Sequence, residues 1–155
     1  MLNRMFPKTL DNAYRGHWGA VAIMVLLLLG RFAMTINGTL NTAFVAVSAD
    51  GIPLSSYDAA AAQTVIALFA LAAISNLGLG LLGLVALLRY RAMLPLVYLL
   101  TLIQSVASRL VIWAHPIVRG NVPTATLGFA FVLGLLALTA IGFVLSLVPR
   151  KDRQN

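Results

Sequence analysis

Four long apolar segments, separated by short polar stretches, dominate the pattern of hydrophobic and polar positions along the chain. They cover residues 18–36, 56–88, 92–113 and 126–148. Each segment approaches or exceeds the roughly 20 apolar residues that an α-helix needs to cross the hydrocarbon core of a bilayer. The pattern therefore predicts an all-α, polytopic membrane protein, in which residues 1–155 form a single domain built as a four-transmembrane-helix bundle.

The composition excludes a water-soluble domain. Of the 155 residues, 61% are hydrophobic and only 10% are charged, whereas a soluble domain is roughly 25% charged. So few charges cannot cover a surface that faces water. The chain has no cysteine, which excludes disulfides and thiolate metal sites. None of its four acidic residues lies in the first apolar segment, which argues against a small proton-coupled exporter that needs a carboxylate there.

Eight of the 11 basic residues lie at the end of the bundle that carries both termini and the turn between the second and third segments. These eight are Arg4, Lys8, Arg15, Arg89, Arg91, Arg150, Lys151 and Arg153. Arg31, Arg109 and Arg119 lie toward the opposite end. Because short cytoplasmic loops are enriched in lysine and arginine, we predict that both termini are cytoplasmic (N-in, C-in). Headgroup contacts explain the net charge of +7, so the expected partner is the lipid bilayer and not nucleic acid.

The longest connection, the outer loop 37–55, leads into the second segment. It contains an apolar patch at residues 43–47, which is predicted to extend the first helix, to re-enter, or to lie on the membrane surface. Ser55 and Asp58 match a capping box, with Ser55 as the N-cap. A helix over residues 56–88 would be about 50 Å long, so it must tilt, kink or project from the membrane.

Polar residues recur on one face of the third segment, at helical spacing: Tyr98, Thr101, Gln104, Ser105, Ser108 and Arg109. Because polar side chains are costly in lipid, this face is predicted to turn toward the bundle interior. The second segment carries a face of small residues that permits close helix contact. The predicted helix-packing residues are Ser75, Gly78, Gly80, Gly83, Thr101, Ser105 and Ser108.

Two amides are predicted to meet in the middle of the bilayer. Asn76 and Gln104 each lie fourteen residues from Tyr90, which occupies the short turn between the second and third helices. In an antiparallel pair they should have the same depth, with Thr139 of the fourth helix at a similar level. Two interpretations stay open: an interhelical hydrogen bond worth about 0.6 kcal/mol, or a ligand or ion site built around these amides.

Arg31 and Arg109 are predicted to form a second cluster, both within about two helical turns of the outer end of their helices. The other polar residues expected near them are Asp50, Asp58, His115 and Arg119. The cluster is interpreted either as internal ion pairing, for example with Asp58, or as a site for an anionic headgroup or substrate, since guanidinium groups suit phosphate and carboxylate. The candidate ligand-binding residues are therefore Arg31, Arg109, Gln104, Asn76 and Asp58, with no catalytic or metal-ligating set.

Three short motifs are similar to those of the DoxX-like group of small bacterial four-helix membrane proteins. They are Arg31 closing the first segment, Gly51-Ile52-Pro53-Leu54 in the outer loop, and Arg89-Tyr90-Arg91 followed by Met93-Leu94-Pro95-Leu96. The resemblance implies a four-helix fold in the bacterial inner (plasma) membrane. Some members of that group are linked with quinone-dependent oxidoreductase complexes, so it also implies a redox accessory role with quinone as the cofactor. No residue here matches a functional motif of the group.

Three functions follow from these patterns. The leading hypothesis is a non-catalytic accessory or scaffold subunit, without a cofactor, that packs in a homo-oligomer or with other membrane subunits through its small-residue faces. The second is a small oligomeric transporter or channel that uses the polar face of the third helix. The third is a membrane enzyme or a quinone- or lipid-binding redox subunit, in which Arg31 and Arg109 steer an anionic or carbonyl group.

Overall fold

The computed structural model describes Met5, Thr9, residues 11–119 and residues 123–149, the last range without the side chains of residues 123–127. Its helices are α1 (Trp18–Leu40), α2 (Thr42–Ser48), α3 (Ala59–Leu88), α4 (Leu94–Ala114) and α5 (Pro123–Leu147). Short 3-10 turns precede α3 and α4, at Leu54–Ser56 and Arg91–Met93. Five of the basic residues used to predict the orientation lie outside the described residues: Arg4, Lys8, Arg150, Lys151 and Arg153.

Within the part of the chain that the structure describes, four helices are long and apolar enough to cross a membrane: α1, α3, α4 with its preceding turn, and α5 over Gly128–Leu147. Each contains at least the roughly 20 residues that the hydrocarbon core demands. The predicted all-α fold with four membrane-spanning helices is confirmed, and the chain is a small integral membrane protein. Which end of the bundle faces the cytoplasm stays a prediction.

The predicted start of the second membrane helix is three residues too early. Asp58 is the N-cap of α3, because its Oδ1 accepts a hydrogen bond from the backbone N–H of Ala61 at 2.8 Å. Ser55, which we predicted as the N-cap, lies in the separate 3-10 turn Leu54–Ser56. A side-chain oxygen that accepts from a first-turn N–H satisfies a donor that has no partner within the helix. The helix therefore begins at Ala59.

The apolar patch at residues 43–47 belongs to the short helix α2. α1 continues to Leu40, and Asn41 then leaves helical geometry with φ −117° and ψ 39°. In α2 the side chain of Ala46 is buried against the bundle and that of Phe44 is 70% exposed. Gly51 follows α2 with φ 70°, a left-handed conformation that glycine adopts without strain. That turn brings the Ile52 N–H to the carbonyl of Ala46 at 2.9 Å.

The four long helices form a ring in the order α1, α3, α4, α5. α1 packs extensively against α3 and α5, whereas α3 and α4 contact each other least, although a short turn joins them. Glycines explain the close approach of α1 and α3. A Cβ on Gly83 would lie 2.8 Å from Leu28, and a Cβ on Gly80 would lie 3.3 Å from Phe32. Small residues at such points let helices in a membrane gain van der Waals contact.

The bundle has two distinct ends. The basic end is formed by residues 11–17, 89–93 and 148–149, and the loop end by residues 41–58 and 115–119. The buried hydrophobic core lies in the half next to the basic end and consists of Ala20, Met24, Leu28, Ala86, Leu94, Val97 and Tyr98. The fully buried Tyr98 donates its hydroxyl proton to the carbonyl of Ala20 at 2.6 Å, which ties α4 to α1 across the ring.

The segment before α1 closes the basic end. The His17 N–H donates to the carbonyl of Leu145 at 3.1 Å, and the His17 Nδ1 accepts from the N–H of Gly19 at 3.0 Å as the N-cap of α1. Burial raises the pKa of Tyr14 to about 12. The protonated hydroxyl donates to the carbonyl of His17 at 3.1 Å. These contacts hold the start of α1 against the end of α5.

Candidate functional site

Arg31, Asn76 and Gln104 meet in the middle of the bundle. Arg31 Nη1 donates to Gln104 Oε1 at 3.2 Å and to Asn76 Oδ1 at 3.4 Å, and it lies 3.5 Å from the Asn76 carbonyl oxygen. Gln104 Nε2 donates to Asn76 Oδ1 at 3.2 Å. The two amides meet as their equal spacing from Tyr90 predicts. We call these three residues the polar triad.

Arg31 lies deeper in the bundle than the sequence predicted. It was expected at the loop end, level with Arg109. α1 continues to Leu40 and not Ile36, so Arg31 is nine residues, about 14 Å, from the helix end. Arg109 is five residues beyond Gln104 on α4, about 7 Å closer to the loop end. The guanidinium groups of Arg31 and Arg109 therefore belong to different levels of the bundle.

The carboxylate beside Arg109 belongs to Asp50 and not to Asp58. Asp58 is exposed and caps α3, whereas Asp50 follows α2 and is half-buried at the loop end. Burial raises the pKa of Asp50, and the charges of Arg119 and Arg109 partly offset this by lowering it. Arg119 Nε also donates to the Asp50 carbonyl oxygen at 3.1 Å. Among the described residues, the carboxylate whose charge interacts with Arg109 is therefore that of Asp50 and not that of Asp58.

A cavity of about 350 Å³ lies between the helices, in the half of the bundle next to the loop end. The whole polar face of α4 lines it: Tyr98, Thr101, Gln104, Ser105, Ser108 and Arg109. This placement agrees with the predicted inward orientation of that face. Thr139 of α5, expected near the level of the amides, also lines the cavity. The polar triad therefore stands in the wall of a chamber and is not buried in a solid helix contact.

The cavity is closed differently at its two ends. Toward the basic end, Leu28, Val97 and Tyr98 are buried and pack together. Toward the loop end, α2 and the residues after it cover the chamber, and Val45 and Asp50 contribute to its lining. Packed side chains therefore close the cavity toward the basic end, and α2 covers it toward the loop end.

Hydroxyl groups in the cavity wall donate to carbonyls of their own helices. Thr101 donates to Val97 at 2.9 Å, Ser108 to Gln104 at 2.8 Å, and Thr139 to Leu135 at 2.6 Å. Each hydroxyl proton is used, so these groups offer acceptor lone pairs. A guanidinium carries five N–H donors. Among the described residues, Arg31 uses only those on Nη1, so it is a donor with unfilled capacity at the cavity.

The predicted helix-packing residues divide into three groups. Gly80 and Gly83 pack against α1, but a Cβ on Gly78 would meet no heavy atom within 4 Å outside its own helix, and Ser75 is exposed. The remaining three, Thr101, Ser105 and Ser108, line the cavity. Two of the four predicted packing residues on α3, Gly80 and Gly83, are therefore occupied by α1 within the same chain.

Sequence reasoning missed the contribution of α1 beyond Arg31. Thr35 and Gly38 line the cavity together with Arg31. Their spacing of four and seven residues from Arg31 is a helical repeat, and this repeat was a readable signal. The roles of Val45 and Asp50 depend on how α2 folds over the bundle, which no periodicity shows.

No three His, Asp or Glu side chains converge to hold a metal ion within the part of the chain that the structure describes. Comparisons with protein-family models, with curated proteins and with solved structures find no match to this chain. The resemblance to the DoxX-like group, and the bacterial inner membrane that it implies, therefore stay predictions.

Proposed function

We propose that this small integral membrane protein is a binding protein that holds a ligand in its central cavity. One observation carries the proposal: the guanidinium of Arg31 stands in the middle of the bundle, beside a cavity of about 350 Å³, and among the described residues it donates hydrogen bonds only to neutral oxygens of Asn76 and Gln104. Ligand pockets in proteins typically measure roughly 300–1,000 Å³, so the chamber is of a suitable size.

A charged side chain at this depth is expensive. An arginine at the centre of a membrane helix costs about 2.5–3.5 kcal/mol on insertion scales, and such residues commonly mark substrate or ion sites. A structural role alone calls for a paired carboxylate or a full set of acceptors. Arg31 has neither among the described residues. A ligand with acceptor oxygens supplies the hydrogen-bond acceptors that Arg31 lacks. Binding that ligand also explains why a charged side chain is kept at this depth despite its energetic cost.

The geometry favours binding over the scaffold hypothesis. That hypothesis assigned Gly80 and Gly83 to contacts with a partner subunit, but both pack against α1. A scaffold role then rests on the predicted packing residues of α3 that stay open, Ser75 and Gly78. The binding proposal instead uses the whole polar face of α4.

The geometry also favours binding over transport. A channel needs a continuous polar route through both halves of the bundle, and a transporter needs a half that can open to each side in turn. The half next to the basic end is filled by Leu28, Val97 and Tyr98. The polar side chains of the polar triad and of Thr101, Ser105 and Ser108 line the cavity between this packed layer and the loop end. The described helices thus form a pocket and not a continuous pathway. Both the carbonyl oxygens of a quinone and the oxygens of an anionic headgroup could accept hydrogen bonds from Arg31 in this pocket.

The proposal is tested by filling the cavity. Wild-type protein, Ser105→Phe and Ile103→Phe are purified in mild detergent, and bound molecules are measured by native mass spectrometry and extraction. Ser105 lines the cavity, whereas Ile103 is 56% exposed on the other face of α4. We expect a stoichiometric small molecule in wild type and Ile103→Phe and its loss in Ser105→Phe.

Two results would reject the proposal. One is a bound molecule that Ser105→Phe retains at the wild-type level, because it must then sit outside the chamber. The other is an empty wild-type protein that co-purifies with stoichiometric partner chains, which would favour the accessory-subunit hypothesis.

A further inference from the structure

We infer that the cavity accepts an anionic amphiphile, with a carboxylate or phosphate head beside Arg31 and a hydrocarbon chain that leaves the bundle sideways into the bilayer. The inference rests on the proposed binding function and specifies its ligand class. Three features carry it: the sign of the charge in the chamber, the geometry around Arg31, and the positions at which the chamber reaches the lipid-facing surface.

The charge of the chamber is positive. Arg31 and Arg109 line it, and Asp50 is the single acidic residue among the described lining residues. That carboxylate lies at the loop end, where it interacts with both Arg109 and Arg119. Asp50 therefore leaves the charge of Arg31 uncompensated. A negative head beside Arg31 would compensate it in surroundings where charge interactions are poorly screened.

The contacts of Arg31 leave room for a stronger acceptor. Its distances to the oxygens of Gln104 and Asn76 are 3.2–3.5 Å, whereas a guanidinium bound to a carboxylate has N···O distances of about 2.7–2.9 Å. Both existing partners are neutral amides. A carboxylate or phosphate can accept two parallel N–H bonds from the unused donors, which neither amide oxygen does.

One side opening lies between α3 and α4. Ala72 and Ser108 each lie eighteen residues from Tyr90, one helical turn beyond Asn76 and Gln104, so the hydrogen-bonded amide pair fixes them at one depth. Both line the cavity and both are exposed. α3 and α4 also contact each other least among neighbouring helices. The chamber therefore reaches the outer surface between them.

We infer a second side opening from the exposure of two cavity-lining residues, one on α1 and one on α5. Met34 and Leu133 line the cavity and are 46% and 44% exposed. Both openings lie within membrane-spanning helices, so lipid chains and not water face them. The route from the loop end is covered by α2, with Val45 and Asp50 over the chamber. This arrangement favours a ligand that enters from the bilayer with an apolar chain.

The test separates charge from hydrophobicity. Purified protein in mild detergent is titrated with oleate, with its uncharged analogue oleyl alcohol, and with inorganic phosphate, and binding is followed by native mass spectrometry. We expect oleate to bind about tenfold or more tightly than oleyl alcohol, as a charged hydrogen bond predicts, and phosphate to bind most weakly. Arg31→Gln should remove the preference for oleate, Arg31→Lys should keep it, and Arg89→Gln, exposed at the basic end, should match wild type.

Each other outcome overturns the inference. Equal affinity of wild type for oleate and oleyl alcohol would exclude an anionic head. Phosphate bound as tightly as oleate would point to a water-soluble anion and exclude the chain. Binding of none of the three probes would also exclude the ligand class. In every case a small molecule lost specifically in Ser105→Phe would leave the binding function standing, so the two failures are distinguishable.

Discussion

The half of the bundle next to the basic end and the half next to the loop end are built from the same four long helices, but their interiors differ. Next to the basic end, the large side chains of Tyr98 and Leu28 pack onto glycines of neighbouring helices. Next to the loop end, polar side chains surround a cavity of about 350 Å³. The first half excludes even a methyl group at Gly142, and the second leaves space for a ligand.

The difference shows how a small membrane protein separates stability from function. Lipid chains are as apolar as the helices, so helix association in a membrane depends on shape complementarity and hydrogen bonds. The half next to the basic end has both, since Tyr98 fits against Gly142 and donates to Ala20. This tight half can hold the helices together while the other half keeps the polar triad beside an open chamber.

Gly142→Leu should produce the largest change, and it addresses the tight half. A Cβ on Gly142 would overlap the ring of Tyr98, which is fully buried and is held in place by the hydrogen bond from its hydroxyl to the carbonyl of Ala20. Overpacking of this kind costs about 1–3 kcal/mol or more. We expect a lower thermal unfolding temperature in detergent, measured by circular dichroism, and a reduced yield of monodisperse protein.

Gly134→Leu is the matched control on the same helix, because a Cβ there meets no heavy atom within 4 Å outside the helix. It should unfold close to the wild-type temperature. If both variants unfold alike, the contrast between the two halves does not govern stability.

The tight half and the cavity were predictable from the sequence to different degrees. Hydropathy and length were sufficient for the four helices, because crossing a bilayer leaves few alternatives. Spacing was sufficient for the polar face of α4 and for the contact of Asn76 with Gln104. Both features are local to one helix or one short turn, so a periodic pattern determines them.

The depth of Arg31 and the role of Asp50 could not be predicted in the same way. The depth of Arg31 depends on where α1 ends, and Asn41 sets that end without a strong breaker residue. Asp50 lies near enough to Arg109 for their charges to interact only because α2 folds back over the bundle. These are long-range outcomes of packing, and a pattern of hydrophobic and polar positions does not record them.

Tyr98→Phe should give an intermediate effect that is confined to the tight half. The substitution keeps the ring against Gly142 but leaves the carbonyl of Ala20 without the hydroxyl donor that lies 2.6 Å from it. The loss of one buried hydrogen bond costs about 1 kcal/mol. We expect a modest fall in the thermal unfolding temperature, smaller than the fall caused by Gly142→Leu. An unfolding temperature equal to that of wild type would show that this hydrogen bond does not stabilise the contact between α4 and α1.

Asp50→Asn, at the loop end, should give the smallest effect. It should appear only as a change in how the stability of the protein depends on pH. Burial raises the pKa of Asp50 above its ordinary value of 3.8, despite the opposing charges of Arg119 and Arg109. The folded state thus holds this proton more tightly than the unfolded state, so its stabilising effect is present at low pH and is lost as the pH rises through the raised pKa.

Unfolding temperatures are compared for wild type and Asp50→Asn between about pH 3 and pH 8. All other groups titrate equally in both proteins, so the difference reports Asp50 alone. We expect wild type to lose stability relative to the variant as the pH rises. A relative gain would mean that Arg109 and Arg119 outweigh burial and hold the carboxylate in its charged form, in which case the loop end is fixed by ion pairing and not by the packing of α2.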